Sequence, residues 1–179
     1  MGRMRVKRRI NEIAKDDLIY LAGFIDGEGT ITIMRFIRKC RRRRIDYRPL
    51  ISVTNTNKEI LELILLLTGV GTLSKGHKLI HMRKQPWKYC VTNSNAIELA
   101  KQLYPYLKIK KMNAALLVEY EKTIANNYLP YRLTNEVLAN RENLTTTINS
   151  LNKRGLITNK TGGDFCVESN DLKSVCSTA

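Results

Sequence analysis

Two acids either side of a glycine, Asp26 and Glu28, close an otherwise apolar stretch at residues 17–29, DLIYLAGFIDGEG. Carboxylate oxygens are the ligands hard divalent cations take, so an acid fixed at the end of a buried element is a candidate metal ligand. Further on, the segment LKIKK holds Lys108, Lys110 and Lys111, whose ammonium groups can stabilise developing negative charge. The run RKCRRRR at residues 38–44 is a dense cationic patch suited to phosphates. Two other groupings fail as sites. His77 and His81 have a spacing that ligates metal on a helix, but Gly76, Lys78 and Pro86 make their surroundings strand-like. Cys40, Cys90, Cys166 and Cys176 contain no CxxC pair, so neither a zinc site nor a disulfide framework is indicated and a reducing compartment is expected.

The elements that must position these groups follow from periodicity. Leu18, Leu21, Ala22 and Ile25 fall at i, i+3, i+4 and i+7, an apolar helical stripe that Asp16 or Asp17 can cap. A second stripe, Tyr20, Gly23, Phe24 and Gly27, is also apolar and carries two glycines. Each glycine costs a helix interior about 1 kcal/mol. The physical return is close approach of another backbone where no Cβ stands. The chain has only one such stretch, so the natural partner is the same helix of a second copy. The helix is expected to end at residues 27–29, with Glu28 at its end.

Residues 30–37 then alternate, with Ile31 and Ile33 on one side and Thr30, Thr32, Met34 and Phe36 on the other. Residues 47–54 alternate again, Ile51 and Val53 against Arg48, Ser52 and Thr54, so the two read as a hairpin with a long basic tip. Asn55 or Asn57 can cap a very apolar helix at 58–68, ended by Gly69 and Gly71. A second hairpin region spans 72–92, its returning strand setting Trp87, Tyr89 and Val91 against Lys88, Cys90 and Thr92. Asn95 and Glu98 have capping-box spacing for a helix reaching about Tyr104, which Pro105 interrupts. Helices are also predicted at 110–127 and, as one or two pieces, at 133–151. Residues 1–15 form a basic lead-in, 16–154 the domain, and 155–179 a tail or small extension.

A chain of 179 residues fits one domain with a real core. Its 31 Lys and Arg against 16 Asp and Glu leave a net charge of +15, which asks for a polyanion partner. The most apolar stretch, residues 60–67, is too short to span a membrane, and no basic amphipathic helix favours a membrane surface. The basic start lacks the apolar core of a secretion signal, so an intracellular setting is expected.

The segment LAGFIDGEG resembles the LAGLIDADG motif of homing endonucleases. Leu21, Ala22, Gly23, Ile25, Asp26 and Gly29 are identical and Glu28 keeps the acid, while Phe24 and Gly27 depart in kind. The layout of helix, hairpin, helix, hairpin and helices matches that family's αββαββα core over residues 15–152. The resemblance implies an α+β fold with a saddle-shaped antiparallel sheet for DNA. A single motif copy implies a homodimer, with Tyr20, Gly23, Phe24 and Gly27 at its interface and a roughly palindromic target. Phosphodiester hydrolysis needs an activated water, neutralised phosphate charge and a stabilised leaving oxygen. By the resemblance, Glu28 and the Gly27 carbonyl hold Mg²⁺ or Mn²⁺, Asn55 orients the water network and Lys110 stands near the scissile phosphate. Lys58 is a weaker candidate beside Asn55, and Asp26 is expected to bond local backbone near the helix ends rather than metal.

Base reading is expected on the strand faces opposite the core: Thr30, Thr32, Met34 and Arg38, then Arg48, Ser52 and Thr54, then Ser74, Lys88, Cys90 and Thr92. Arg38 and Arg48 suit guanine, whereas Arg41, Arg42, Arg43 and Arg44 suit phosphates. The implied activity is site-specific double-strand cleavage leaving 3′ overhangs, in the setting of a mobile intron. The rival reading is a maturase acting on intron RNA, or an inactive DNA-binding protein on the same fold.

Overall fold

The computed structural model describes residues 9–38, 44–78, 80, 82–125 and 134–153. In chain order these form α1 (Lys15–Glu28), β1 (Gly29–Arg38), β2 (Arg44–Asn55), α2 (Lys58–Thr68), β3 (Thr72–Lys75), β4 (Trp87–Thr92), α3 (Ser94–Leu103), α4 (Lys111–Ala125) and α5 (Asn135–Asn152). The class is α+β, and the αββαββα order expected from the sequence runs from α1 to α3, with α4 and α5 added.

The four strands make one antiparallel sheet in the order β1-β2-β4-β3. Period-two alternation sends Ile31, Ile33, Ile51, Val53, Tyr89 and Val91 to one face, all buried. The α1 stripe of Leu18, Leu21, Ala22 and Ile25 joins them in a single core, together with Leu61 and Ile64 of α2 and Ile97, Leu99 and Leu103 of α3. The rim of α2 is closed by buried polar groups. The Tyr89 hydroxyl lies 2.9 Å from Thr68 Oγ1 and donates to the Val70 carbonyl at 3.0 Å. Gly69 ends α2 in the left-handed conformation, φ 66°, as its sequence position predicts.

β1 is a sheet edge, and α5 packs along it. Asn152 Nδ2 donates to the Ile31 carbonyl at 2.9 Å, which satisfies part of an edge that would otherwise invite another strand. At its other end α5 buries Arg141, whose guanidinium stacks on Tyr120 and donates to the Thr123 hydroxyl and carbonyl. Residues 9–14 dock on the same body: Asn11 donates backbone and side-chain N–H groups to the carbonyls of Leu66, Leu67 and Thr68, the open end of α2.

Local details differ from expectation at two caps, those of α1 and α3, and at α2 one of the two expected candidates forms the cap. Helix α1 starts after Ala14 with no side-chain cap; Asp16 and Asp17 sit in its first turn, where the positive end of the helix dipole favours them. Asn57, not Asn55, caps α2, accepting from the Glu59 amide at 3.0 Å. The Asn95–Glu98 capping box does not form. The chain turns at Asn93, φ 60°, whose carbonyl takes the Ala96 and Ile97 amides, so Asn95 is already inside α3. The 133–151 segment is one helix, α5. The expected tail at 155–179, the basic tip residues Arg41, Arg42 and Arg43, and His81 lie outside the described residues.

Candidate active site and nucleic-acid interface

The last turn of α1 is where the acids and the lysine meet. A helix leaves its final carbonyls without intrahelical partners and carries negative potential there. Lys110 answers both: its Nζ donates to the Ile25 carbonyl at 3.0 Å and to the Asp26 carbonyl. Asp26 turns the other way. Its carboxylate accepts the backbone amides of Lys108 at 2.8 Å, Ile109 at 3.1 Å and Lys110 at 2.9 Å. Burial pushes the Asp26 carboxyl up, but these three amides and the Lys110 ammonium more than offset it, so its pKa lies below the usual value. Asp26 therefore bonds backbone as expected, although the backbone is remote in sequence rather than local.

Past this joint lies a cleft of 360 Å³ lined by Gly27, Glu28, Thr30, Lys110, Asn113 and Asn152 among others. Glu28 is exposed at its mouth. Gly29 must be glycine here, because a Cβ would stand 2.7 Å from the Ile25 carbonyl oxygen; this lets β1 leave the helix directly after Glu28. The cleft unites four residues singled out from the sequence, Gly27, Glu28, Thr30 and Lys110. Asn55 and Lys58 are not among its lining residues. Asn55 Oδ1 accepts from the Asn57 amide at 2.8 Å, and Lys58 pairs with Glu62 and lies over the Trp87 ring.

Sequence reasoning missed Asn113 and Asn152. Asn113 Nδ2 donates to Asn152 Oδ1 at 3.0 Å and so ties α4 to α5 at the back of the cleft. The buried Asn113 had a legible signal, because it lies four residues before Leu117 and seven before Tyr120, on one buried helical stripe. Asn152 had none, since its role depends wholly on where α5 docks.

The donor types in the cleft decide which metal chemistry fits it. Among the described residues no group of three or more His, Cys, Asp or Glu side chains gathers to hold an ion. One chain offers the Glu28 carboxylate and the Gly27 carbonyl, oxygen donors at the negative end of α1. That set fits a hard cation such as Mg²⁺ but is incomplete without donors from outside the chain. A larger groove of 820 Å³ lies between residues 9–13 and α3. Three of its charged groups are engaged with one another, Lys101 bridging Glu98 and Glu121.

The sheet face away from the core collects the expected reading residues in one register. Thr30 stands opposite Ser52, Met34 opposite Arg48 and Arg38 opposite Arg44. Ser52 is opposite Cys90, and Lys88 is opposite both Thr54 and Ser74. Thr32 and Thr92 share this face with Leu50, which pairs with both. Met34, Arg48, Thr54 and Ser74 are exposed on it, whereas Ser52 is only 8% exposed. The Thr32 hydroxyl is engaged, donating to Asn149 Oδ1 at 3.0 Å. Arg48 lies 4.8 Å over the Phe36 ring, which holds its guanidinium upright on the face. Burial pushes the Cys90 thiol up, so it presents a neutral group.

The outward stripe of α1 stands open. Tyr20 is 52% exposed and stacks on Phe24. A Cβ built at Gly23 or Gly27 would meet nothing within 4 Å. The packing of the described residues therefore gives neither glycine a reason.

A family model for the LAGLIDADG endonuclease matches residues 21–126, more than half of the chain. The chain belongs to the LAGLIDADG endonuclease family. No curated protein matches it. Among solved structures it is similar to the homing endonuclease I-CvuI, determined with a DNA target in the presence of Mg with the DNA uncleaved. The identity is 24%, the TM-score 0.65, and the likeness covers 80% of this chain and 87% of that one. The archaeal intron-encoded homing endonuclease I-Vdi141I, complexed with DNA, is similar at 21% identity and TM-score 0.63, over 78% and 86%. The LAGLIDADG homing endonuclease I-SmaMI, bound to cleaved DNA, is similar at 19% identity and TM-score 0.60; there the likeness covers 82% of this chain but 48% of that one. At these identities the likeness is one of fold. In this LAGLIDADG chain the motif residues identified from the sequence are those that build α1 and its open stripe.

Proposed function

We propose that the protein is a homodimeric, divalent-metal-dependent DNA endonuclease that cuts both strands of a long, roughly palindromic target and leaves 3′ overhangs. The observation that carries this reading is the placement of Glu28 and Lys110 in one cleft at the end of a helix whose glycine stripe is open. Two copies joined along that stripe bring two Glu28 carboxylates together at the two-fold axis. They repel each other unless a cation lies between them, and each adds the donors that the other chain lacks. The match to about half of the longer I-SmaMI chain supports a functional unit of two such domains.

In this arrangement Glu28 and the Gly27 carbonyl hold the cation. A bound divalent cation supplies positive charge to the scissile phosphate and to its attacking water. Lys110 adds a fixed ammonium against charge that builds on the phosphate. Asn55 orients water from the end of β2. The sheet face of Thr30, Met34, Arg48, Thr54, Ser74 and Lys88 lies in the major groove. Arg38 and Arg48 take guanine, and the basic tip takes phosphates. The DNA complexes of I-CvuI and I-Vdi141I support a double-stranded DNA partner. Intron homing is the genetic setting that fits such a cut.

The test is plasmid cleavage with supercoiled DNA carrying the candidate insertion site, with and without Mg²⁺. Linear product that requires both the site and the metal is expected. Tight site-specific binding without cleavage in any divalent metal would replace the nuclease with a DNA-binding protein on this fold.

A further inference from the structure

The family match and the sheet face leave one conspicuous joint unexplained. Asp26 is separated from Glu28 by a single glycine, yet its carboxylate reaches out of α1 to a loop more than eighty residues away in sequence. It accepts three consecutive amides there, those of 108, 109 and 110, the last turn of chain before α4. Three successive N–H groups that converge on one anion form a concave backbone nest, and that geometry holds a loop more tightly than any one bond would. From the same loop, the Lys110 ammonium returns to the Ile25 and Asp26 carbonyls. The two chain segments are thus clasped in both directions, carboxylate to amides and ammonium to carbonyls.

We propose that Asp26 is a positioning residue that fixes the distance between Glu28 and Lys110 across the cleft. The inference rests on the endonuclease reading given above. The clasp sits close to both partners: Asp26 is two positions before Glu28 on a rigid helix end, and the amide it takes at Lys110 belongs to the lysine itself. No other acid of α1 is placed for this work, because Asp16 and Asp17 lie at the opposite end and Glu28 faces the cleft. Without the carboxylate the three amides of 108–110 lose their acceptor, and the bonds from the flexible Lys110 side chain to the Ile25 and Asp26 carbonyls are left to hold the lysine against α1. A misplacement of about 1 Å at a reacting centre is enough to cost about a hundredfold in rate.

The experiment is a double-mutant cycle with Asp26→Asn and Lys110→Met on the full-length protein. It reads single-turnover cleavage in Mg²⁺, gel-shift affinity in EDTA, and hydrogen exchange of the 108–110 amides. Asp26→Asn is expected to slow cleavage by about tenfold to a hundredfold, to leave DNA affinity within about twofold, and to speed exchange at 108–110. In the Lys110→Met background the same change is expected to cost less than about twofold, because the group it positions is gone. An equal cost in both backgrounds, or a loss shared by affinity and cleavage, would overturn the positioning role in favour of a general structural one. If the wild-type protein binds but does not cut, the nuclease reading falls by itself. The exchange measurement then decides the clasp: unchanged 108–110 amides in Asp26→Asn overturn it. Should Asp26→Asn fail to fold, Asp26→Glu keeps the charge one methylene away and carries the same cycle, and there too equal costs in both backgrounds overturn the proposal.

Discussion

The two acids of the motif sit two residues apart and do opposite things because of what each one faces. Asp26 is turned inward to three amides, which hold it ionised and fully engaged. Glu28 is exposed at the mouth of the cleft, at the negative end of α1, where the helix dipole disfavours a carboxylate unless a cation is near. The site assignment is therefore tested by changing charge at constant shape. Glu28→Gln keeps the size and hydrogen-bonding outline of the side chain but removes the charge proposed to hold a metal. Cleavage is expected to fall by roughly a hundredfold or more. Binding should survive or tighten without metal, since in the proposed dimer the sheet face carries it and two carboxylates no longer repel each other or the phosphates. Gel shift and plasmid cleavage on one preparation check this. Full cleavage by the variant would remove Glu28 from the site, and loss of both activities would make it a folding residue.

At the scale of elements, helices and strands with strong periodicity were legible and their joints were not. The stripes of α1, the alternation of β1 and β2 and the left-handed stop at Gly69 follow from local rules, and the structure has them where the sequence places them. The capping box at Asn95 failed because Asn93 offered a sharper turn with its own carbonyl as acceptor. The link from Asp26 to 108–110 and the Asn113–Asn152 pair were invisible, because they exist only once α4 and α5 have docked. The glycine stripe is the reverse case, a sequence cost with no return among the described residues. Each glycine gives up about 1 kcal/mol of helix stability, so substitution should leave the fold of one chain intact. Gly23→Leu or Gly27→Leu is expected to give folded monomers by analytical ultracentrifugation, with cleavage lost. An unchanged dimer, or a wild-type monomer at working concentration, would sink the two-copy assembly.

At the scale of the whole molecule, two bulk properties make opposite demands on solution conditions. The first is the core's buried tyrosines. Burial pushes Tyr89 up to about 12, only partly offset by its hydrogen bond with Thr68, and Tyr120 up to about 12, partly offset by Arg141. Both are raised from 10.0, so the stability they carry is fully present below about pH 10 and is lost as pH rises through 12. A move of that size is on the order of 3 kcal/mol for each residue. Thermal unfolding followed by circular dichroism is expected to show a steep fall in midpoint over this window, shallower in Tyr89→Phe; a flat alkaline limb would mean that neither phenol stays buried.

The second bulk property is charge. With a net +15 in each chain, binding to a polyanion is driven largely by counterion release, so affinity is expected to fall steeply with salt. In sequence Arg41, Arg42 and Arg43 fall between Arg38, which ends β1, and Arg44, which begins β2 and pairs with it. If they bind phosphates, they carry affinity and no sequence information. Arg42→Ala is then expected to weaken specific and non-specific DNA alike, and to lower the slope of log K against log salt by roughly one for each phosphate no longer neutralised. A dimer carries the substitution in both copies, so the measured drop is roughly two for each 1:1 complex of dimer and duplex. Arg48→Ala provides the contrast, because its guanidinium is held over Phe36 on the sheet face rather than at the tip. It should spare non-specific binding, weaken the target by about 1–3 kcal/mol in each half-site, and relax the preference at one symmetric pair of positions. Fluorescence anisotropy across a salt series, with target and scrambled duplexes side by side, separates the two classes. A sequence-selective loss in Arg42→Ala would move that arginine from phosphate to base reading, and a uniform loss in Arg48→Ala would move Arg48 the other way.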